Sequence, residues 1–124
     1  MKQIIQTNKA PQAIGPYSQA VIANGFIFCS GQISLQPDGT LVNGSIEEQT
    51  KQVMENLKEI LEAGGSDFEK VVKTTIYLID LNDFVAVNEI YSSYFKNNYP
   101  ARATAGVNSL PKGAEVEIEM VALA

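Results

Sequence analysis

Two segments of the chain, "FIFCS" (26–30) and "VVKTTIYLI" (71–79), are, Lys73 apart, apolar or weakly polar on both faces. Their β-branched and aromatic residues suit pleated backbone, so both predict strands. A strand sends alternate side chains to opposite faces of its sheet, and a segment with no polar face predicts a sheet covered on both sides. Only two helical patterns are available to supply that cover. Two helices shield one face, and the other needs a partner; a symmetric homo-oligomer is the simplest source of one.

The first helical pattern is the clearer. Ser45 followed by Glu48 forms a capping box, and acidic Glu47 and Glu48 suit the positive end of a helix. Ile46, Val53, Leu57, Ile60 and Leu61 recur at helical spacing until Gly64-Gly65 ends the run. A second helix starts near Asn82 or Asp83, carries an apolar stripe of Phe84, Val87, Tyr91 and Tyr94, and is stopped by "NNYP" (97–100). Strands are predicted at 3–7 (a short edge), 20–24, 26–31, 70–80, about 102–109 and about 115–123. Asn24-Gly25 is a two-residue hairpin signal, and "LPKG" (110–113) turns between the last two strands. Two helices over one set of strands make an α+β layer.

At 124 residues, with no linker, repeat or low-complexity tract, the chain reads as one domain, 1–124. Its net charge of −5 and eight scattered lysines make nucleic acid a poor first guess for a partner. There is no histidine and one cysteine, Cys29, which excludes a His-based triad and a typical zinc site built from a single chain. Cys29 lies in an apolar strand and reads as an inert core thiol. One cysteine permits no intrachain disulfide and fits a reducing compartment. The N-terminal "MKQIIQTNKAPQ" is too short and polar for a signal peptide, and no apolar run approaches the ~20 residues of a membrane span. The expectation is a cytoplasmic protein without a membrane partner.

Arg102 is the only arginine, set among Ala101, Ala103 and Ala105. It is either an ordinary surface ion pair or an anion clamp; its planar fork matches a carboxylate as no lysine can. Glu115, Glu117 and Glu119 alternate with Val116, Ile118 and Met120, so the three carboxylates are expected on one strand face. A solvated face explains at least two of them. One that is partly buried would hold its proton more tightly and could serve as acid or base near neutrality. Tyr17 follows the rigid Gly15-Pro16 pair and either packs or presents its hydroxyl to a cleft. Ser30-Gly31 either ends a strand or lets a ligand approach the backbone. Asn88 alone reads as a surface residue.

The segments "APQAIGPYSQA", "CSGQI", "VVKTTIYLIDLNDFVAVNEIY" and "YPARATAGVNSLPKGAEVEIEM", in order and spacing, resemble the RidA (YjgF-like) family of enamine/imine deaminases. The resemblance spans about residues 8 to 124. It implies a chorismate-mutase-like α+β fold, with a single mixed sheet of about six strands, two helices packed on one face, and a homotrimer around a central barrel-like core. It implies ligand clefts between subunits, with Arg102 binding a substrate carboxylate and Glu117 positioning or activating water; Glu119 remains the alternative. Tyr17, Ser30, Gly31 and Asn88 fall at positions resembling other cleft-lining residues, with Tyr17 or the Gly31 backbone helping Glu117. Thr104 stands where many members have cysteine, so thiol chemistry is not expected there, while its hydroxyl and N–H remain available to a substrate. The implied substrates are 2-aminoacrylate and 2-imino acids such as 2-iminopropanoate and 2-iminobutanoate. The implied products are 2-keto acids and ammonia, with no metal or organic cofactor. Relatives also suggest a small-carboxylate sensor for purine or branched-chain amino-acid metabolism and, less well matched to the charge, an RNA-cleaving translation inhibitor.

Overall fold

The computed structural model describes residues 1–124. Six strands form one sheet: β1 (Gln3–Ile5), β2 (Ala20–Ala23), β3 (Phe26–Gln32), β4 (Val71–Leu78), β5 (Ala101–Gly106) and β6 (Val116–Leu123). Two helices, α1 (Ile46–Ala63) and α2 (Phe84–Ser92), complete the α+β layer. The strand order is β1-β2-β3-β6-β4-β5. β4 and β5 run parallel, joined through α2, and every other pair is antiparallel, so the sheet is mixed.

The local signals act where they stand in the sequence. Ser45 Oγ accepts from the Glu48 N–H at 3.1 Å and starts α1. Asn24 (φ 52) and Gly25 (φ 81) both take the left-handed conformation that a tight hairpin between β2 and β3 demands. Asn56 of α1 is 1 % exposed and donates to the carbonyls of Ile33 and Leu35, tying the helix to the chain leaving β3.

Several boundaries differ from expectation, each for a visible reason. β1 ends at Ile5 because the Gln19 amide takes both the N–H and the C=O of Thr7 in place of a neighbouring strand. α2 ends at Ser92, well before "NNYP". The hydroxyls of Ser92 and Ser93 donate back to the carbonyls of Glu89 and Ile90, competing with continued helix. Tyr94 therefore lies beyond the helix, packs against the core and donates to Glu55 Oε2 at 2.8 Å. "LPKG" is a single 3-10 turn, Pro111–Gly113, with Lys112 at φ 58. Glu115 precedes β6 and accepts from Gln49 of α1, so the three glutamates do not share a face.

Alternation sorts the rest. Ile27, Cys29, Ile76, Leu78, Ile118 and Met120 turn toward the helices and pack with Val53, Leu57, Ile60 and Leu61 of α1 and with Val87 and Tyr91 of α2. No helix covers the opposite face, which holds Val21, Phe28 (47 % exposed) and Val121 side by side. No helix is long and apolar enough to cross a membrane.

Candidate active site

β5 and β6 follow each other in the chain but are not neighbours, because β4 lies between them. Thr74 of β4 stands opposite both Arg102 and Met120, which puts Arg102 on the helix-covered face. Tyr77 stands opposite both Ala105 and Glu117, which puts Glu117 on the open face. Within one chain, then, Arg102 and Glu117 point to opposite sides of the sheet. The cleft they were expected to share requires a second copy.

Arg102 is held on its side by α2. Its guanidinium carbon lies 5.3 Å from the ring centroid of Phe84 and 5.1 Å from that of Tyr91. Its Nη1 donates to Asn88 Oδ1 at 2.6 Å. Phe84, Asn88 and Tyr91 are spaced i, i+4, i+7, so one helix stripe provides all three contacts. Tyr91 is anchored in turn by a 2.7 Å hydrogen bond with the buried Thr74 hydroxyl, and burial pushes its phenol pKa up. The partner of Arg102 is an amide, which leaves its positive charge uncompensated by that bond. Arg102, Asn88, Tyr91 and Tyr99 line a cavity of about 640 Å³.

A second cavity of about 570 Å³ is lined by Tyr17, Ser30, Gly31, Lys112 and Glu117 together with apolar Ile14 and Ile33. Gly31 leaves room for that carboxylate: a Cβ would sit 2.5 Å from Glu117 Oε2 and 2.9 Å from its Cδ. The carboxylate is therefore laid against the strand backbone. Glu117 makes no hydrogen bond with another protein group, and its pKa is raised, first by burial and second by the charge of Glu119. Glu119 instead accepts from the Tyr77 hydroxyl at 2.7 Å. Of the two glutamates, Glu117 is the one without a protein donor.

The loop bearing Tyr17 is fixed from β3. Ser30 Oγ donates to the Ser18 carbonyl at 2.6 Å, and the Ser30 N–H donates to the Gln19 carbonyl at 2.9 Å. Ser30 thus has its hydroxyl proton committed to holding this loop. Gln19, 2 % exposed, also donates to the carbonyls of Thr7 and Pro11. Thr104 shares the face of Arg102, opposite Ile76, and lines neither cavity.

The structure brings Tyr17, Ser30, Gly31 and Glu117 together, and separately Arg102 and Asn88. Sequence reasoning missed Phe84 and Tyr91 as supports of the arginine, because both were accounted for as apolar stripe. The signal was Asn88, a polar residue on the same helical stripe. Lys112 was also missed, since nothing local marks its left-handed backbone. No group of three His, Cys, Asp or Glu side chains is placed to hold a metal ion.

What the geometry offers a ligand is an uncompensated guanidinium on one face of the sheet and a partly buried carboxylate on the other. The family model described as Endoribonuclease L-PSP matches residues 7–124, and the chain belongs to that family. It is 55 % identical to the human protein named 2-iminobutanoate/2-iminopropanoate deaminase, over 99 % of this chain and 90 % of the human one. Among solved structures, the Rid-family protein YyfA of Yersinia pestis superposes with a TM-score of 0.98 at 49 % identity, covering 100 % of both chains. The Escherichia coli protein TdcF, solved with bound serine, gives a TM-score of 0.94 at 38 % identity and covers 98 % of each.

One substitution probes the second cavity directly. Gly31→Ala forces the Glu117 carboxylate off the backbone, since the flexible side chain yields before the strand does. It is expected to reduce kcat at least tenfold, with thermal stability changed little. Imine turnover beside a melting curve checks both.

Proposed function

We propose that this protein is an enamine/imine deaminase that hydrolyses 2-imino acids such as 2-iminobutanoate and 2-iminopropanoate, and the enamine 2-aminoacrylate, to 2-keto acids and ammonia. The observation that carries the proposal is the 55 % identity, over nearly the whole chain, to a human protein bearing that name. The geometry suits the chemistry. Arg102 pairs its fork with the substrate carboxylate and fixes C2. Glu117, from the neighbouring copy, takes a proton from water as the oxygen attacks C2 and delivers it to the nitrogen; it then carries the remaining hydroxyl proton to the same nitrogen as the C–N bond breaks, C2 becomes the keto carbon and ammonia leaves. Tyr17 and the Gly31 backbone border the same water. One water is consumed, and no oxidant, metal or organic cofactor is needed. Asn88 orients the arginine, Ser30 fixes the Tyr17 loop, and Thr104 stands near the clamp without a thiol.

The assembly proposed is a homotrimer, in which the open face of Val21, Phe28 and Val121 is buried against other copies and the clefts form between subunits. The compartment proposed is the cytoplasm, in keeping with a single, buried cysteine. RNA cleavage, the activity in the family's description, has less physical support in a chain of net charge −5.

The test couples the protein to a threonine dehydratase and threonine, with semicarbazide trapping the released imine. The expected result is less trapped imine and faster keto-acid formation as protein is added. Unchanged trapping, with 2-ketobutanoate still bound, would leave a sensor instead of an enzyme.

A further inference from the structure

Glu117 and Glu119 stand two residues apart on one face of β6, about 7 Å along the strand. Two like charges so close repel, and the charge of Glu119 adds to the burial that already favours a proton on Glu117. How strongly it does so depends on where the Glu119 carboxylate is held. The protein supplies one strong donor to the pair, the Tyr77 hydroxyl. Tyr77 is the cross-strand partner of Glu117, yet its hydroxyl reaches diagonally to Glu119 Oε1 at 2.7 Å. Glu117 is left against the Gly31 backbone with no protein donor.

We propose that Tyr77 is a positioning residue for the reacting proton: by donating to Glu119 it fixes that carboxylate beside Glu117 and leaves Glu117, which has no protein donor, to take and release the proton. This rests on the reading of Glu117 as the water-handling group. The groups facing Glu117 are Glu119 from its own strand, Tyr77 from β4, Tyr17 from its loop and Lys112 from the 3-10 turn; β3 contributes only neutral Ser30, Gly31 and Gln32. Lys112 is the one cation lining that cavity and favours the anion, while burial and Glu119 favour the protonated form and prevail. The hydrogen bond to Glu119 also keeps the Tyr77 phenol protonated, so the donor persists across the working range.

The role is read by side-chain ¹³C NMR titration of Glu117 in glutamate-labelled protein, beside pH profiles of kcat/KM, for wild type, Tyr77→Phe and Glu119→Gln. Both variants are expected to ionise Glu117 at lower pH than wild type does. Both variants move the acid limb of kcat/KM to lower pH, so that the rate at pH 5 relative to pH 7.5 rises about two- to fivefold. A role in packing alone would scale rate or stability at all pH values and leave the limb in place. Glu117 ionisation unmoved in Tyr77→Phe overturns the proposal. If Glu117 ionisation moves as expected but Glu117→Gln retains full activity, the water-handling reading of Glu117 fails while the effect of Tyr77 on Glu117 stands.

Discussion

Arg102→Ala is expected to lower kcat/KM for 2-iminobutanoate by about 10²–10⁴-fold. A site built to bind a charged group with a fixed fork loses that much when the fork is removed. Nothing nearby can substitute. Arg102 is the only arginine, and its neighbours on β5 are alanines. The Phe84 and Tyr91 rings and Asn88 are shaped around a planar guanidinium and would be left lining an empty slot. Because the proposed role of the arginine is to grip the end of the substrate away from the bond that breaks, the loss is expected first in KM and then, through poorer alignment of C2, in kcat. Arg102→Lys keeps the charge without the planar fork and recovers only part of the activity. Thermal stability changes little, since the side chain is exposed in the single chain. Steady-state kinetics with the coupled dehydratase decide the matter, and full activity in Arg102→Ala removes the clamp.

Glu117→Gln is expected to reduce kcat by about 10²–10⁴-fold, the usual contribution of a positioned general acid–base. Unlike a simple knockout, it is also expected to stabilise the protein at neutral pH. Burial, then Glu119, raise the Glu117 pKa in the folded chain. The folded state therefore binds this proton more tightly than the unfolded state does. That contribution to stability is fully present below the unfolded carboxylate pKa and is lost as pH rises through the folded value. Glutamine never ionises, so the variant escapes the loss. Melting temperatures should be close at pH 4 and higher for Glu117→Gln at pH 7. A variant that melts lower at pH 7 would mean the carboxylate has a stabilising partner.

What the sequence made legible was what is local. The Ser45–Glu48 capping box, the Asn24-Gly25 hairpin and the alternation of β6 each depend on residues within a turn or two, and each stands where it was expected. Arg102 was conspicuous because no other residue of its kind exists to dilute it. The arrangement of the last strands was not legible. β5 and β6 look like a hairpin in sequence, but α2 carries the chain over to a parallel pairing of β5 with β4. That crossover also sends Arg102 and Glu117 to opposite faces. The difference between Glu117 and Glu119 was equally hidden, since it depends on Tyr77, some 40 residues earlier in the chain and on another strand. Glu115 left the row because its carboxylate found Gln49 on α1.

In the proposed homotrimer, the placement of Arg102 and Glu117 on opposite faces is expected to make the two single variants genetically complementary. Arg102→Ala subunits still contribute a sound glutamate half-site, and Glu117→Gln subunits still contribute a sound arginine half-site. Each variant alone assembles only broken clefts. In a cyclic trimer that mixes them, one of the three junctions unites the two sound halves, so co-expressed or co-refolded chains should regain up to about one third of wild-type activity. A double variant mixed with wild type offers no such rescue, because it brings no sound half. Loss of function in this protein would then be recessive or complementing according to which half of the junction a substitution strikes.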